Sequence, residues 1–171
     1  MISMRLTLCF LTEGMIKMNK GRYTVLPDEP ITIFLIGLRV NKWYKIHKWL
    51  PVLLAMPPML NELSKNKSLG CLSYEMLFKY RGVMVVQYWQ SNEQLLTYSK
   101  MPTHLKAWRR FAKSLKQNEA VGFYHETYNS DTSQYENIYI NMPDFGLGKA
   151  RDNQAVNKAT QTATQRLRSQ R

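Results

Sequence analysis

The sequence predicts an α+β domain with elements in the order β-α-β-β-α-β, followed by one further strand. Three observations carry this. The run ITIFLIGLRV at 31–40 is apolar and β-type, and the turn residues Pro27, Asp28 and Pro30 precede it. Two later segments carry apolar side chains at helical spacing. Between those segments, residues 69–80 and 83–90 read as two strands joined at Arg81-Gly82, as in a hairpin.

After the first strand, Trp43, Ile46, Leu50, Leu53 and Leu54 recur at helical spacing. Pro51 and the pair Pro57-Pro58 divide this helical region, Pro58 suiting the first turn of its last part. The hairpin strands are LGCLSYEMLFKY and VMVVQYWQ. Ser91 with Gln94 three residues on reads as a capping box opening the helix SNEQLLTYSK. A second helix begins near Thr103, with Leu105, Trp108, Phe111, Ala112 and Leu115 on one face and Lys106, Arg109, Arg110, Lys113 and Lys116 on the other. AVGFYHETYN at 120–129 is the fourth strand and QYENIYIN at 134–141 the fifth.

This order matches a ferredoxin-like sandwich with an extra C-terminal strand. Helices cover one sheet face, and the other, half apolar, needs a cover that a second copy would supply. The expected product is a homodimer, a dimeric α+β barrel. The expected boundaries are an N-terminal extension at 1–18, the folded domain at 19–148 and a polar tail at 149–171, read as disordered.

The chain has 171 residues and a formal charge of +12, and its tail holds six bases against the single acid Asp152. Such a charge prompts a test for nucleic acid. On the basic helix, however, Trp108 and Phe111 fall at core spacing, so a solvated basic face is the plainer reading and no specific nucleic-acid partner is expected. Arg5 followed by the apolar run Leu6–Leu11 is too short for a membrane span, and no cleavage site follows it. Met18 is a second candidate start. Cys9 and Cys71 are the only thiols, which fits a reducing cytoplasm better than a disulfide framework.

NMPDFGLGKA, at 141–150, ends in Gly-Lys and invites comparison with a phosphate loop. The spacing G-x-x-x-x-G-K-[ST] fails twice, at Pro143 and at Ala150, so no nucleotide site is expected. The segment reads instead as the exit from the fifth strand, with Phe145 and Leu147 packing over a barrel end or a partner. His47, His104 and His125 show no metal-ligand spacing, and no metal site is expected. No G-x-S-x-G elbow occurs.

Strand alternation sends Phe34, Ile36 and Leu38 under the helices and Ile33, Leu35, Gly37 and Arg39 to the opposite side. In the hairpin it places Leu72, Tyr74, Met76 and Phe78 inward and Ser73, Glu75 and Leu77 opposite. The opposite face is thus expected to gather Arg39, Glu75, Gln87, Trp89 and one of His125 or Glu126, with Phe145 as a lid. Two readings stand side by side. The set either lines a partly apolar pocket, in which a carboxylate and an imidazole handle protons, or forms an Arg39–Glu75 ion pair at a dimer interface.

GRYTVLPDEPITIFLIGLRVNKWYKIHKWLPVLLAMPPMLNEL, VQYWQSNEQLLTYS, AVGFYHETY and YENIYINMPDFGLGKA together resemble the family named after a fumagillin-pathway monooxygenase. The resemblance runs from about Asn19 to Ala150, and the last motif is its most specific part. It implies the dimeric α+β barrel of the antibiotic-biosynthesis monooxygenases. Members of that superfamily oxidise electron-rich molecules without metal or flavin, bind haem, or only bind ligands.

The expected function is therefore monooxygenase-like chemistry on an apolar or aromatic small molecule, with no cofactor. Arg39, His125 and Glu75 are the catalytic candidates, and Gln87, Trp89 and Phe145 contact substrate. A haem enzyme with His104 as axial ligand and a non-catalytic ligand-binding homodimer are the alternatives.

Overall fold

A computed structural model of the chain describes residues 17–115, 118–132 and 134–168. Residues 1–16, most of the expected N-terminal extension and Cys9 with it, lie outside the described residues. Strand β1 spans Asn19–Thr24 and β2 Ile31–Val40; helices α1 (Ile46–Leu53) and α2 (Met56–Lys65) lead to β3 (Cys71–Lys79) and β4 (Gly82–Trp89). Helices α3 (Asn92–Ser99) and α4 (Pro102–Leu115) then precede β5 (Val121–Ser130), and β6 (Tyr139–Met142), α5 (Leu147–Ala150), β7 (Gln154–Ala155) and α6 (Ala163–Arg168) complete the chain.

The main sheet has the order β3-β4-β2-β5, with every neighbouring pair antiparallel. That is the ferredoxin-like arrangement expected from the element order. Its centre is β2, which pairs Phe34 with Gln87 and Thr127, Ile36 with Val85 and His125, and Leu38 with Val83 and Phe123. Directly paired residues point to the same side of a sheet, so these side chains share the face covered by helices. Ser91 caps α3 by accepting the Gln94 N–H at 3.3 Å, the backbone half of the expected capping box. The Gln94 side chain turns instead to Gln90.

Under the helices, Leu63, Cys71, Trp89, Leu95 and Tyr98 form one buried cluster; Leu38, Val83 and Val121 form another. A third cluster, Val25, Ile31 and Leu147 with Leu72, Tyr88 and Tyr139 packed against it, joins the opposite face of the main sheet to the C-terminal part. Leu72 therefore departs from the expected inward placement. The register shifts between Cys71 and Ser73, and this irregularity returns Leu72 to the second face while Cys71 stays beside Trp89.

Two further findings concern the C-terminal part. The additional strand does not extend the main sheet: β6 pairs with β1, and β7 lies on the other side of β1, giving a separate three-stranded sheet. These strands are short and polar, so the apolar periodicity that marks β2 is missing from them. Nor is the tail unfolded over 149–168. Arg166 is buried, meets Glu136 at 2.7 Å, and donates to the carbonyls of Thr160 and Gln161, both at 3.2 Å. One guanidinium, with its fork of donors, organises a segment that has few apolar residues of its own.

The hairpin is tight at Gly82, where an added Cβ would lie 1.9 Å from the backbone carbonyl oxygen of Leu38. Backbone atoms held in a central sheet have nowhere to go. Gly82→Ala is expected to destabilise the fold by about 3 kcal/mol, read as a lower denaturant midpoint in urea unfolding followed by circular dichroism.

Candidate functional site

A cavity of about 390 Å3 lies between the helix-covered face of the main sheet and helices α2, α3 and α4. The size falls within the range of small-molecule sites, about 300–1,000 Å3. Phe34, Ile36, Trp89 and Phe123 come from the strands, and Met59, Leu95 and Trp108 from the helices. A narrower apolar arm of about 70 Å3 shares Ile36, Met56, Met59, His104, Trp108 and Phe123 and extends to Val52 and Leu53 of α1. The walls are assembled by alternation on the strands and by three- and four-residue spacing on α2 and α4.

Few polar groups reach this space. Gln87 is only 5 % exposed, and its Oε1 accepts the Trp89 indole N–H at 2.9 Å. An indole nitrogen can only donate, which settles which end of the carboxamide is oxygen. The Gln87 NH2 group is left with no protein acceptor among the described residues, and Gln87 lines the cavity. His104, in the first turn of α4, holds its Nδ1 3.0 Å from the Ser99 carbonyl. A carbonyl only accepts, so Nδ1 carries the proton and Nε2 of the neutral ring keeps its lone pair. The Tyr98 ring meets His104 edge-on, with centroids 5.4 Å apart, and helps to hold its plane.

Tyr98 itself is no base. Burial, followed by the nearby Glu62 carboxylate to which its hydroxyl donates at 3.2 Å, holds the phenol well above its ordinary pKa. His125 lies on the edge strand β5, exposed at the rim, with its ring 5.7 Å from that of Phe34 and 6.2 Å from that of Phe123.

The expected constellation is therefore divided between two faces. Gln87, Trp89 and His125 share the cavity with His104, whereas Arg39, Glu75 and Glu126 lie on the opposite face. Arg39 is exposed near the end of β2 and makes no ion pair with Glu75. Glu75 accepts the Gly146 N–H at 3.0 Å and lies 4.0 Å from Lys149. Ser73 Oγ donates to the Gly146 carbonyl at 3.0 Å, and the Tyr139 hydroxyl accepts the Gly148 N–H at 3.1 Å. The glycine-rich motif is thus docked onto the second face, Leu147 buried beneath it and Phe145 part-exposed beside it, away from the cavity. Glu126 accepts from the Tyr128 hydroxyl at 2.7 Å.

Pairing His104 with Gln87 was the combination that sequence reasoning missed. A signal for half of it existed: Gln87 and Trp89 share the parity of Val85, and Val85 belongs with Ile36 under the helices. The contact between His104 and Ser99 spans the α3–α4 junction and leaves no periodic trace.

A family model, Monooxygenase af470-like, matches residues 31–147, well over half of the chain and all of the main sheet. The chain belongs to the monooxygenase af470-like family. No functionally curated protein matches the sequence. Among solved structures, an aldoxime dehydratase in complex with butyraldoxime aligns with a TM-score of 0.63 at 17% identity, over 80% of this chain and 44% of that one. A second aldoxime dehydratase aligns with a TM-score of 0.61 at 19% identity, over 85% of this chain and 47% of that one. SnoaB, a cofactor-independent oxygenase from Streptomyces nogalater, aligns with a TM-score of 0.41 at 10% identity, over 60% of this chain and 93% of that one.

This monooxygenase af470-like chain spans less than half the length of the two aldoxime dehydratases, and at these identities the likeness concerns the fold. Among the described residues no three His, Cys, Asp or Glu side chains converge as a metal site, and no helix is long and apolar enough to cross a membrane.

Cys71 packs behind Trp89, and burial pushes its thiol from an ordinary 9.0 up to about 11. The folded state therefore keeps this proton longer than the unfolded state. The associated stability is complete below about 9 and is lost as the pH rises towards 11. In a Cys9→Ser chain at neutral pH, a thiol reagent is expected to label Cys71 only as fast as the protein opens. Labelling at the rate of a free thiol would show that this wall is not closed.

Proposed function

We propose that the cavity binds an apolar or aromatic small molecule and that this protein is a monooxygenase-like oxidoreductase, taking molecular oxygen as co-substrate and needing no resident cofactor. The observation that carries this reading is the placement of two oriented polar groups, the free Gln87 NH2 and the free His104 Nε2, in a cavity otherwise walled by apolar side chains. Membership of the monooxygenase af470-like family supports it. Kinship with the fumagillin-pathway enzyme itself, a cytoplasmic location and a homodimer belong to the same proposal.

The substrate is one whose carbanion is stabilised by neighbouring carbonyl or aryl groups. Gln87 donates to the substrate oxygen on which negative charge develops. His104 Nε2 removes the proton from the adjacent CH2 group. The carbanion passes electrons to O2 and bonds to it, and the His104 proton returns to give a hydroperoxide. Loss of water leaves a carbonyl carbon. Overall CH2 and O2 become C=O and H2O, with the substrate as its own reductant. Trp89 and Phe34 flank the ring system, and His125 at the rim offers a second proton acceptor.

Oxygen uptake with anthrone as probe tests the assignment. His104→Ala is expected to lower kcat by about 10²–10⁴, and Gln87→Leu to lower kcat/KM by about 10². Arg39→Ala, on the other face, is expected to leave turnover unchanged. Uptake that is equal in wild type and His104→Ala would overturn the mechanism.

One observation favours a second reading. A cavity-lining histidine whose Nδ1 is tied to a backbone carbonyl, as His104 is, also suits a metal ligand. Haem bound here would be held by the His104 imidazole, with Lys100 of the same lining offering a positive charge, and would supply iron-centred chemistry. Titration with haemin separates the two: a Soret band that is lost in His104→Ala supports haem, and its absence supports the first reading.

A further inference from the structure

One end of the molecule carries apolar and aromatic side chains that the fold leaves in water. Trp43 is 70% exposed, Tyr44 65% and Phe78 68%, and Tyr80, at the tip of the β3–β4 hairpin, is fully exposed. Ile46, Leu50 and Leu54 continue the patch along the outer side of α1. The two parts belong to the same end of the sheet, because Arg81 donates to the carbonyls of Val40 and Asn41 at 3.1 and 2.5 Å, just before Trp43. Soluble proteins seldom leave so large an apolar patch bare without a binding purpose.

The charges around it are mostly positive. Arg39, Lys42, Lys45, Lys48, Lys79 and Arg81 are contributed by the same two segments. The stretch from Asn41 to Asn61 contains no Asp or Glu. One carboxylate, that of Glu119, lies 2.6 Å from Lys42.

We infer that this end docks on the surface of an anionic lipid bilayer, with Trp43, Tyr44 and Tyr80 at the headgroup level and the lysines against the lipid charges. Aromatic rings with one apolar and one polar side favour that depth, and apolar area and basic charge act together in peripheral binding. A second copy of the chain fits the patch less well. A two-fold contact would set the same cations against one another. The inner side of the same helix, at Val52 and Leu53, walls the narrow arm of the cavity. A bilayer docked on α1 therefore lies next to that arm, whatever reaction the cavity supports.

Co-sedimentation of the full chain with vesicles of phosphatidylcholine, with and without phosphatidylserine, tests the inference. Binding is expected only with phosphatidylserine, weakening as salt rises. Trp43→Ser combined with Tyr44→Ser keeps the charge, including that of the basic tail, and is expected to weaken binding about tenfold or more. Lys45→Gln and Lys48→Gln are expected to cost about fivefold each. The indole of Trp49 bonds to the backbone carbonyl of Trp43, which the aromatic substitutions retain, and far-ultraviolet circular dichroism checks that the variants fold.

Equal binding by wild type and the double aromatic variant would overturn the inference, as would absence of vesicle binding. A dimer in light scattering that the double aromatic variant dissolves would also overturn it, because the patch would then be a protein interface. None of these readouts depends on oxygen uptake, so the docking and the proposed activity stand or fall separately.

Discussion

Strand β2 keeps register with β4 and β5 at once, and the two-sidedness of the molecule follows from that double pairing. A slip of one residue would exchange its two faces, sending Phe34, Ile36 and Leu38 out from under the helices. Gly37 adds a local lock. A Cβ there would lie 2.3 Å from the Tyr124 ring, so the missing side chain lets Tyr124 of β5 lie across β2, its hydroxyl 3.4 Å from Lys79 of β3. An edge strand thereby reaches over two neighbours to the far edge. With the faces held this way, one is free to build a cavity and the other to receive the C-terminal segment.

The docked segment explains why the glycine-rich motif is no anion site. The Gly146 N–H, which a phosphate would seek, already donates to the Glu75 carboxylate, and the Gly148 N–H donates to Tyr139. An incoming anion would have to displace a carboxylate across a part-buried hydrogen bond. Lys149 then completes the arrangement, its ammonium 4.0 Å from Glu75. Two polar residues of β3 on that face, Ser73 and Glu75, are used to hold Gly146. Backbone satisfaction, a structural need, accounts for residues whose types alone suggest chemistry.

What was legible in the sequence follows the strength of its periodic signal. β2, the hairpin, the cap at Ser91 and the four-strand order could all be read, because long apolar runs and turn residues mark them. β6 could be read as the end of the strand at 134–141, though not its pairing with β1; β1 and β7 could not be read, since Asn19–Thr24 is mostly polar and gains its partners only from residues more than a hundred positions away. Buried Arg166 was hidden for the same reason: its burial rests on Glu136 and two carbonyls, not on apolar neighbours. At the site, Gln87 misled because a polar residue was assigned to the face expected to be polar, against the parity of its own strand. A buried carboxamide becomes tolerable when a neighbour two positions on supplies its bond, and the Trp89 indole does so within the same strand.

That bond also shows how the cavity combines fixed and adaptable parts. The sheet supplies the polar reference point, since Gln87 is oriented by Trp89, which is wholly buried and backed by Cys71 and Leu95. The helices supply a softer wall, where Met56 and Met59 line both the cavity and its narrow arm. Unbranched thioether side chains repack at small cost, whereas a hydrogen-bonded carboxamide on a central strand does not. On the proposed reading, a ligand is held at one end by direction and at the other by shape, its oxygen meeting Gln87 and its apolar remainder having latitude among the methionines. Selectivity in such a cavity rests on the polar end, because leaving a buried donor unpaired costs more than a methylene misplaced against a methionine.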